Sequence, residues 1–243
     1  MTPQEVQQRL EHIHPIRVDP DLPTAKIDVS KRSAGISVRF IAYDMRGFFQ
    51  QVVEKYLEFF GKKETDFKSV QTLSIDDHQI PHEDFEFKGS LSNDAARIVM
   101  KALYGARFVK YNLLWPICNL ARRISRWSTA DDRRLHRLVS YIHHTYDETL
   151  QSFVGDHAND LSVMLWVDAS LADDLRDSKS ASGAYLAIVG PNTFAPIMSF
   201  AKKLTAVFHS STESEIIALE EAVRTEGLPM LTFWETVVVI LSS

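Results

Sequence analysis

The spacing of apolar positions changes its period along the chain, and each change marks a different kind of element. Ser37 to Tyr43 (SVRFIAY) alternates as a strand does, and Phe48 to Phe60 repeats apolar residues at helical spacing until Gly61 ends the run. Ahead of them, Pro3, Pro15, Pro20 and Pro23 break any regular element except a short helix from Gln4 to His12. From Thr72 to Ser92 the chain is polar and aperiodic, with Pro81 and Gly89, and reads as a linker. Asp94 then opens a helix with Ile98, Val99, Ala102, Leu103 and Ala106 on its apolar face. A second helix follows Trp115-Pro116, with Pro at the first helical position. A third starts near Thr129, where Thr-Ala-Asp-Asp offers a cap and early acids, and runs through Leu135, Leu138, Val139 and Ile142. Residues 94–145 are thus expected as an antiparallel helical unit with its arginines outward.

After Gly155-Asp156 the period drops to two. Leu161, Val163, Leu165 and Val167 fall on one face of a strand, and Met164, Trp166 and Asp168 on the other. Gly183 to Val189 and Phe194 to Ala201 predict two more strands joined by a Gly190-Pro191-Asn192 turn. A helix follows from Ser210 to Glu226, and Leu228-Pro229 begins a last segment. Three strands in a meander under a helix, preceded by helices, predict an α/β (α+β) fold.

Composition narrows the class. With 243 residues the chain holds one large or two small domains, and 45% hydrophobic residues suffice for a packed core, which excludes disordered and collagen-like chains. No apolar run approaches the ~20 residues of a bilayer helix, so no membrane partner is expected. The start has neither a basic nor an apolar leader pattern, so the expected setting is soluble, cytoplasmic or nuclear. A lone Cys118 cannot form an internal disulfide.

Charge is uneven. The net charge is −5, yet between Arg97 and His144 ten Lys/Arg face only Asp131 and Asp132, an excess of eight, so the rest carries −13. A basic segment beside an acidic remainder predicts a polyanion grip in one part and cation binding in another, unless the arginines are simply a solvated helix face.

Two carboxylates stand out. Asp168 ends an otherwise apolar strand, where an acid either accepts turn hydrogen bonds or binds a cation. On the helix after it, Ile216, Ala218, Leu219, Ala222 and Val223 form an apolar stripe that includes Glu215. Thr212-Glu-Ser-Glu215 fits a capping box, but so does Ser210-Ser-Thr-Glu213. The second register turns Glu215 toward the sheet, where a carboxylate is costly unless a cation or protons compensate it. Asp168 and Glu215 would make half of a site for magnesium, and paired magnesium ions support phosphodiester cleavage. A zinc site from His136, His143, His144 and Cys118 is the weaker alternative: His136 and His143 can share a helix face, but adjacent His143 and His144 diverge by ~100°.

The stretches Trp166-Val-Asp-Ala-Ser through Lys179-Ser-Ala-Ser-Gly183, Pro196-Ile-Met-Ser-Phe-Ala-Lys-Lys203 and His209-Ser-Ser-Thr-Glu-Ser-Glu-Ile-Ile-Ala-Leu219 resemble, in order and spacing, the RNase H segment of copia-type retrotransposon polyproteins. Upstream, Leu120-Ala-Arg-Arg-Ile-Ser-Arg126 and Leu135-His-Arg-Leu-Val-Ser-Tyr141 are similar to that family's link between reverse transcriptase and RNase H, and Phe60-Gly-Lys-Lys and Val70-Gln-Thr to the end of its polymerase portion. The resemblance implies an RNase H-like meander after a helical connection, with residues 1–71 holding the N-terminal segment and end of the polymerase region, 72–93 a linker, 94–150 the basic connection and 156–243 an incomplete RNase H-like domain.

It also implies a chemistry: two-metal, Mg2+-dependent cleavage of RNA in an RNA/DNA hybrid, with Asp168 and Glu215 as catalytic and metal-binding acids. Arg122, Arg123, Arg126, Arg133, Arg134, Arg137, Lys202 and Lys203 would bind nucleic acid, and the remaining polyprotein, polymerase and integrase, would be the protein partner. Ser170 replaces the family's second Asp, Tyr-x-Asp-Asp is absent, and the family's next catalytic Asp, in a DNQ motif, is expected beyond Ser243. Two acids of four predict little or no cleavage by this chain. The alternative is an inactive nucleic-acid-binding or scaffold remnant.

Overall fold

The structure is a computed structural model, and it describes residues 38–170, 180–204, 208 and 210–241. The helix expected at Gln4 to His12, the acidic turn at Asp173 to Asp177, Lys179 and His209 lie outside the described residues.

Strand β1 (Arg39–Tyr43) leads into helix α1 (Arg46–Phe60), which stops at Gly61 in the left-handed conformation, φ 63°. Only a residue without Cβ adopts that conformation freely, so the sequence stop and the structural stop coincide. Helices α2 (Ala95–Phe108), α3 (Leu114–Ala121) and α4 (Thr129–Thr145) follow. Pro116 sits third in α3 rather than first, still within the turn whose N–H groups need no helical partner. Helix α4 is capped by Ser128, one residue before the expected cap: the Asp131 carboxylate accepts from the Ser128 N–H (3.0 Å) and hydroxyl (2.9 Å).

The four helices enclose one core. Phe49, Val52 and Tyr56 of α1, Ile98, Val99 and Ala102 of α2, Leu113 and Ile117 at α3, and Leu135, Leu138 and Ile142 of α4 are all essentially inaccessible. These are the periodic positions of each helix, so period and burial agree.

The sheet corrects the expected architecture. It has five antiparallel strands in the order β1-β2-β5-β4-β3, with β2 at Leu150–Val154, β3 at Ser162–Ala169, β4 at Ala181–Gly190 and β5 at Thr193–Lys203. The expected meander is present as β3, β4 and β5, but β1 pairs with β2 from Arg39↔Val154 to Tyr43↔Leu150, and Phe153↔Phe194 joins that pair to the meander. The helical body is therefore an excursion between two neighbouring strands. A Ser210-capped helix α5 (Ser211–Ala222), one π turn (Val223–Gly227) and α6 (Leu228–Leu241) complete the chain, with α5 lying across β3. Among the described residues, no helix is long and apolar enough to cross a membrane.

Residues 72–93 hold no α-helix or strand, only two short 3-10 helices (Asp77–Gln79 and His82–Phe85), and they do not form a free linker. Ile80 and Leu91 are buried, Gly89 N–H donates to the Trp127 carbonyl (3.2 Å), and Asp132 at the start of α4 accepts from Ser90 N–H (2.6 Å), Ser90 hydroxyl (2.8 Å) and Trp127 Nε1 (2.6 Å). The segment is a strap bound across the helical body.

Candidate functional site

Asp168 is the penultimate residue of β3, opposite Gly183 on β4, and is exposed. Strand alternation fixes its side. Leu165 and Val167 point toward α5 and the π turn, where a Cβ on Gly227 would lie 3.4 Å from the Leu165 side chain. Met164, Trp166 and Asp168 point the other way, toward the face where the Trp166 ring lies 5.8 Å from Tyr185 and Tyr185 meets Tyr111 of the helical body at 5.8 Å.

Glu215 has the predicted helix register and the opposite orientation. The Ser210 hydroxyl accepts from the Glu213 N–H (3.1 Å), so the cap expected from Ser210-Ser-Thr-Glu213 is formed. In that register the residues turned to the sheet are Ser214, Ala218 and Ala222, each completely buried. Glu215 is exposed, which corrects the expectation that it faces inward. The reason is proximity: only Ser and Ala side chains fit where α5 crosses the strands closely, so the bulky members of the expected apolar stripe, Ile216 and Leu219, are displaced outward and stand 61% and 50% exposed.

The two carboxylates thus start from different sides of β3. A magnesium ion requires oxygen ligands converging from fixed directions at about 2.0–2.1 Å. Asp168 and Glu215 are both exposed and leave their elements in different directions. Among the described residues no three His, Cys, Asp or Glu side chains group as metal ligands.

The expected zinc residues have other engagements. His136 and His143 do share a face of α4, and it is filled by the Phe67 ring, 5.7 Å and 4.9 Å from the two imidazoles. His136 Nδ1 hydrogen-bonds the Tyr56 hydroxyl at 2.8 Å. Burial, reinforced by Lys62, holds the His136 pKa below its ordinary value against the opposing pull of Asp66, and burial pushes the Tyr56 phenol up. His144 Nδ1 lies 2.7 Å from the Ser140 carbonyl, and the Cys118 thiol is pushed up by burial on α3.

The basic residues expected to grip nucleic acid are mostly engaged within the fold. Arg134 is buried between Asp131 (2.7 Å) and Asp77, and Arg123 is buried 3.8 Å from Asp131. Arg133 pairs with Asp84, and the Arg137 guanidinium donates to the Thr72 carbonyl (2.9 Å). Lys202 reaches Glu221 of α5 at 2.6 Å, and Lys203 lies half-buried at the end of β5. Arg122 is exposed but stacks 5.4 Å over Trp115, and Arg126 is exposed. Asp77 and Asp84 belong to the strap, outside the segment where the charge excess was counted. Sequence reasoning missed their role; the available signal was the acid-rich run from Asp76 to Glu86 beside an arginine-rich helix.

Compared with family models, curated proteins and solved structures, the chain matched none.

Proposed function

We propose that this chain is a non-catalytic scaffold of copia-type reverse transcriptase–RNase H ancestry. One observation carries the reading: α5 presents Ser214, not Glu215, to the sheet, while Asp168 emerges from the other side of β3. The ancestry rests on the ordered motifs of the sequence, and the scaffold role on an arginine set used to fasten the strap to α4 rather than left for a ligand.

The test is cleavage of a labelled RNA/DNA hybrid in magnesium buffer, with calorimetric magnesium titration alongside. The expected outcome is no cutting above that of Asp168→Asn and Glu215→Gln, and no magnesium heat that depends on Asp168. Magnesium-dependent cutting lost in both variants would establish the nuclease reading in place of the scaffold.

A further inference from the structure

Helix α5, the π turn and α6 form one continuous helical run from Ser211 to Leu241. Ser214, Ala218, Ala222 and Met230 are buried along one side of it. A second row occupies the other side. Ile216, Leu219 and Val223 stand at i, i+3 and i+7, the a and d spacing of a coiled-coil seam. The π turn adds one residue to the helix, which brings Leu228 and Leu231 into register as i+11 and i+14. Val223, Leu228 and Leu231 are 38%, 55% and 48% exposed, so the row that begins with the outward Ile216 and Leu219 stays open to solvent along its length.

Carboxylates flank this row. With Ile216 and Val223 at a, Glu213 and Glu220 take e and Glu215 takes g, the positions on either side of a seam. All three are exposed. Between Ser211 and Leu241 there are six Glu and a single cation, Arg224, whose guanidinium lies 2.9 Å from Glu220 in a solvated pair. Such a pair contributes little and leaves Glu220 accessible. Lys202 of β5 is taken up by the half-buried Glu221 at 2.6 Å.

An open apolar seam is covered by whatever buries it, and the charges beside it decide which partner that is. A second copy of the chain would set these glutamates against one another, e against g in parallel pairing and e against e in antiparallel pairing. Nucleic acid and anionic lipid meet the same repulsion. The complement is an amphipathic helix with apolar a and d positions and Lys or Arg at e and g. From Ile216 to Leu231 the row rises about 22 Å, four turns of such a helix.

We infer that the outward face of α5 and α6 docks a basic amphipathic helix of a partner protein, with Ile216, Leu219, Val223, Leu228 and Leu231 as the seam and Glu213, Glu215 and Glu220 as the selecting charges. Docking gives the proposed scaffold its partner and so rests on that reading. Hybrid cleavage depends on Asp168 and Glu215, whereas docking is read from Ile216, Leu219, Glu213 and Glu220, so the two can fail separately.

The experiment is fluorescence anisotropy of the full chain with three labelled synthetic peptides of about three heptads each. One carries Ile at a, Leu at d and Lys at e and g; the second has Glu in place of Lys; the third keeps Lys but has Ala at a and d. Saturable binding of the first is expected, at least about tenfold tighter than of the other two, and weakened at least about tenfold by Ile216→Ser/Leu219→Ser. Glu213→Lys/Glu220→Lys is expected to transfer the preference to the Glu peptide, a gain that an unfolded variant would not show. No saturable binding of the first peptide, equal binding of either control, or an unmoved preference in the charge-reversed variant would overturn the proposal. So would a native dimer, seen by sedimentation, that Ile216→Ser/Leu219→Ser returns to monomer, because a second copy would then cover the row.

Discussion

A single carboxylate can hold a polar segment to an apolar body when several buried donors converge on it. Asp132, 6% exposed, accepts from two backbone N–H groups, a hydroxyl and an indole: Ser90, Leu91 and Trp127 all depend on it. Replacing it with Ala leaves these donors without a partner, and the expected loss is about 3 kcal/mol by chemical denaturation. The sheet-facing position of α5 gives a paired test. Ser214→Leu is expected to overpack the α5–sheet contact and cost about 1–3 kcal/mol, whereas exposed Glu215→Ala should change stability by less than about 0.5 kcal/mol. Equal effects at the two positions would contradict the helix orientation. Here the sequence was legible in part. The Ser210 cap followed from hydroxyl and carboxylate spacing, a local property. Which neighbour faced the sheet depended on how closely α5 approaches, and close approach selects small residues over greasy ones, against the stripe that hydrophobicity alone draws.

Titration at the residue scale has a definite sign. His136 is half-buried against Tyr56 and Phe67 with a pKa below its ordinary value, so the unfolded chain binds its proton more readily. The contribution is present above the unfolded value and is lost as pH falls below it toward the folded value. Stability measured by urea titration is therefore expected to decline between about pH 7.5 and 5.5, and to decline less steeply in His136→Gln. A steeper decline in the variant would refute the assignment.

At the scale of elements, α1 and α2 meet at Gly105, where an added Cβ would sit 2.9 Å from both the Phe48 and Phe49 rings. Phe48 could swing outward, but Phe49 is fully buried and cannot. Alanine favours a helix over glycine by about 1 kcal/mol, and the steric term opposes and exceeds it. Gly105→Ala is expected to destabilise by about 1–3 kcal/mol in a melting experiment, and a rise in stability would show that the helices can separate without loss. Element types on the helical body were legible because each helix is long enough to show its period. Strand β2 was not: Leu150–Val154 is five residues, with no alternation strong enough to stand alone, and its identity comes from pairing with β1 more than a hundred positions earlier. The strap was hidden for a related reason. The excess positive charge of residues 97–144 was visible in the sequence, but its partners Asp77 and Asp84 come from a segment with no periodicity to place it.

For the whole molecule, the open question is whether helices and sheet melt as one body. Covalently they are interleaved, since the helical body leaves the sheet after β1 and returns as β2. Physically they are joined by an aromatic seam: Tyr111 packs edge-on against Tyr185, Tyr185 stacks on Phe194 at 6.3 Å, and Phe194 contacts Phe153 of β2 at 6.3 Å. Tyr111 and Tyr185 are both pushed to higher pKa by burial, as expected of phenols shielded at a contact. The seam links the β4–β5 face to the start of α3, whereas the interleaved connection alone would leave two cores free to melt separately. Calorimetry of the native chain is therefore expected to give one transition with equal calorimetric and van't Hoff enthalpies. Tyr185→Ala removes the ring common to the Tyr111, Trp166 and Phe194 contacts, and should broaden that transition or divide it, with the sheet melting first because β3, at one end of the sheet, has no strand on its outer edge among the described residues. A variant that still melts in a single step, merely at lower temperature, would place the coupling instead in the β1–β2 pairing and in the packing of Leu150 and Ala201 on the helical core, and Ser152→Pro, which puts a residue without an N–H into buried mid-strand β2, would then be the change that separates the two halves.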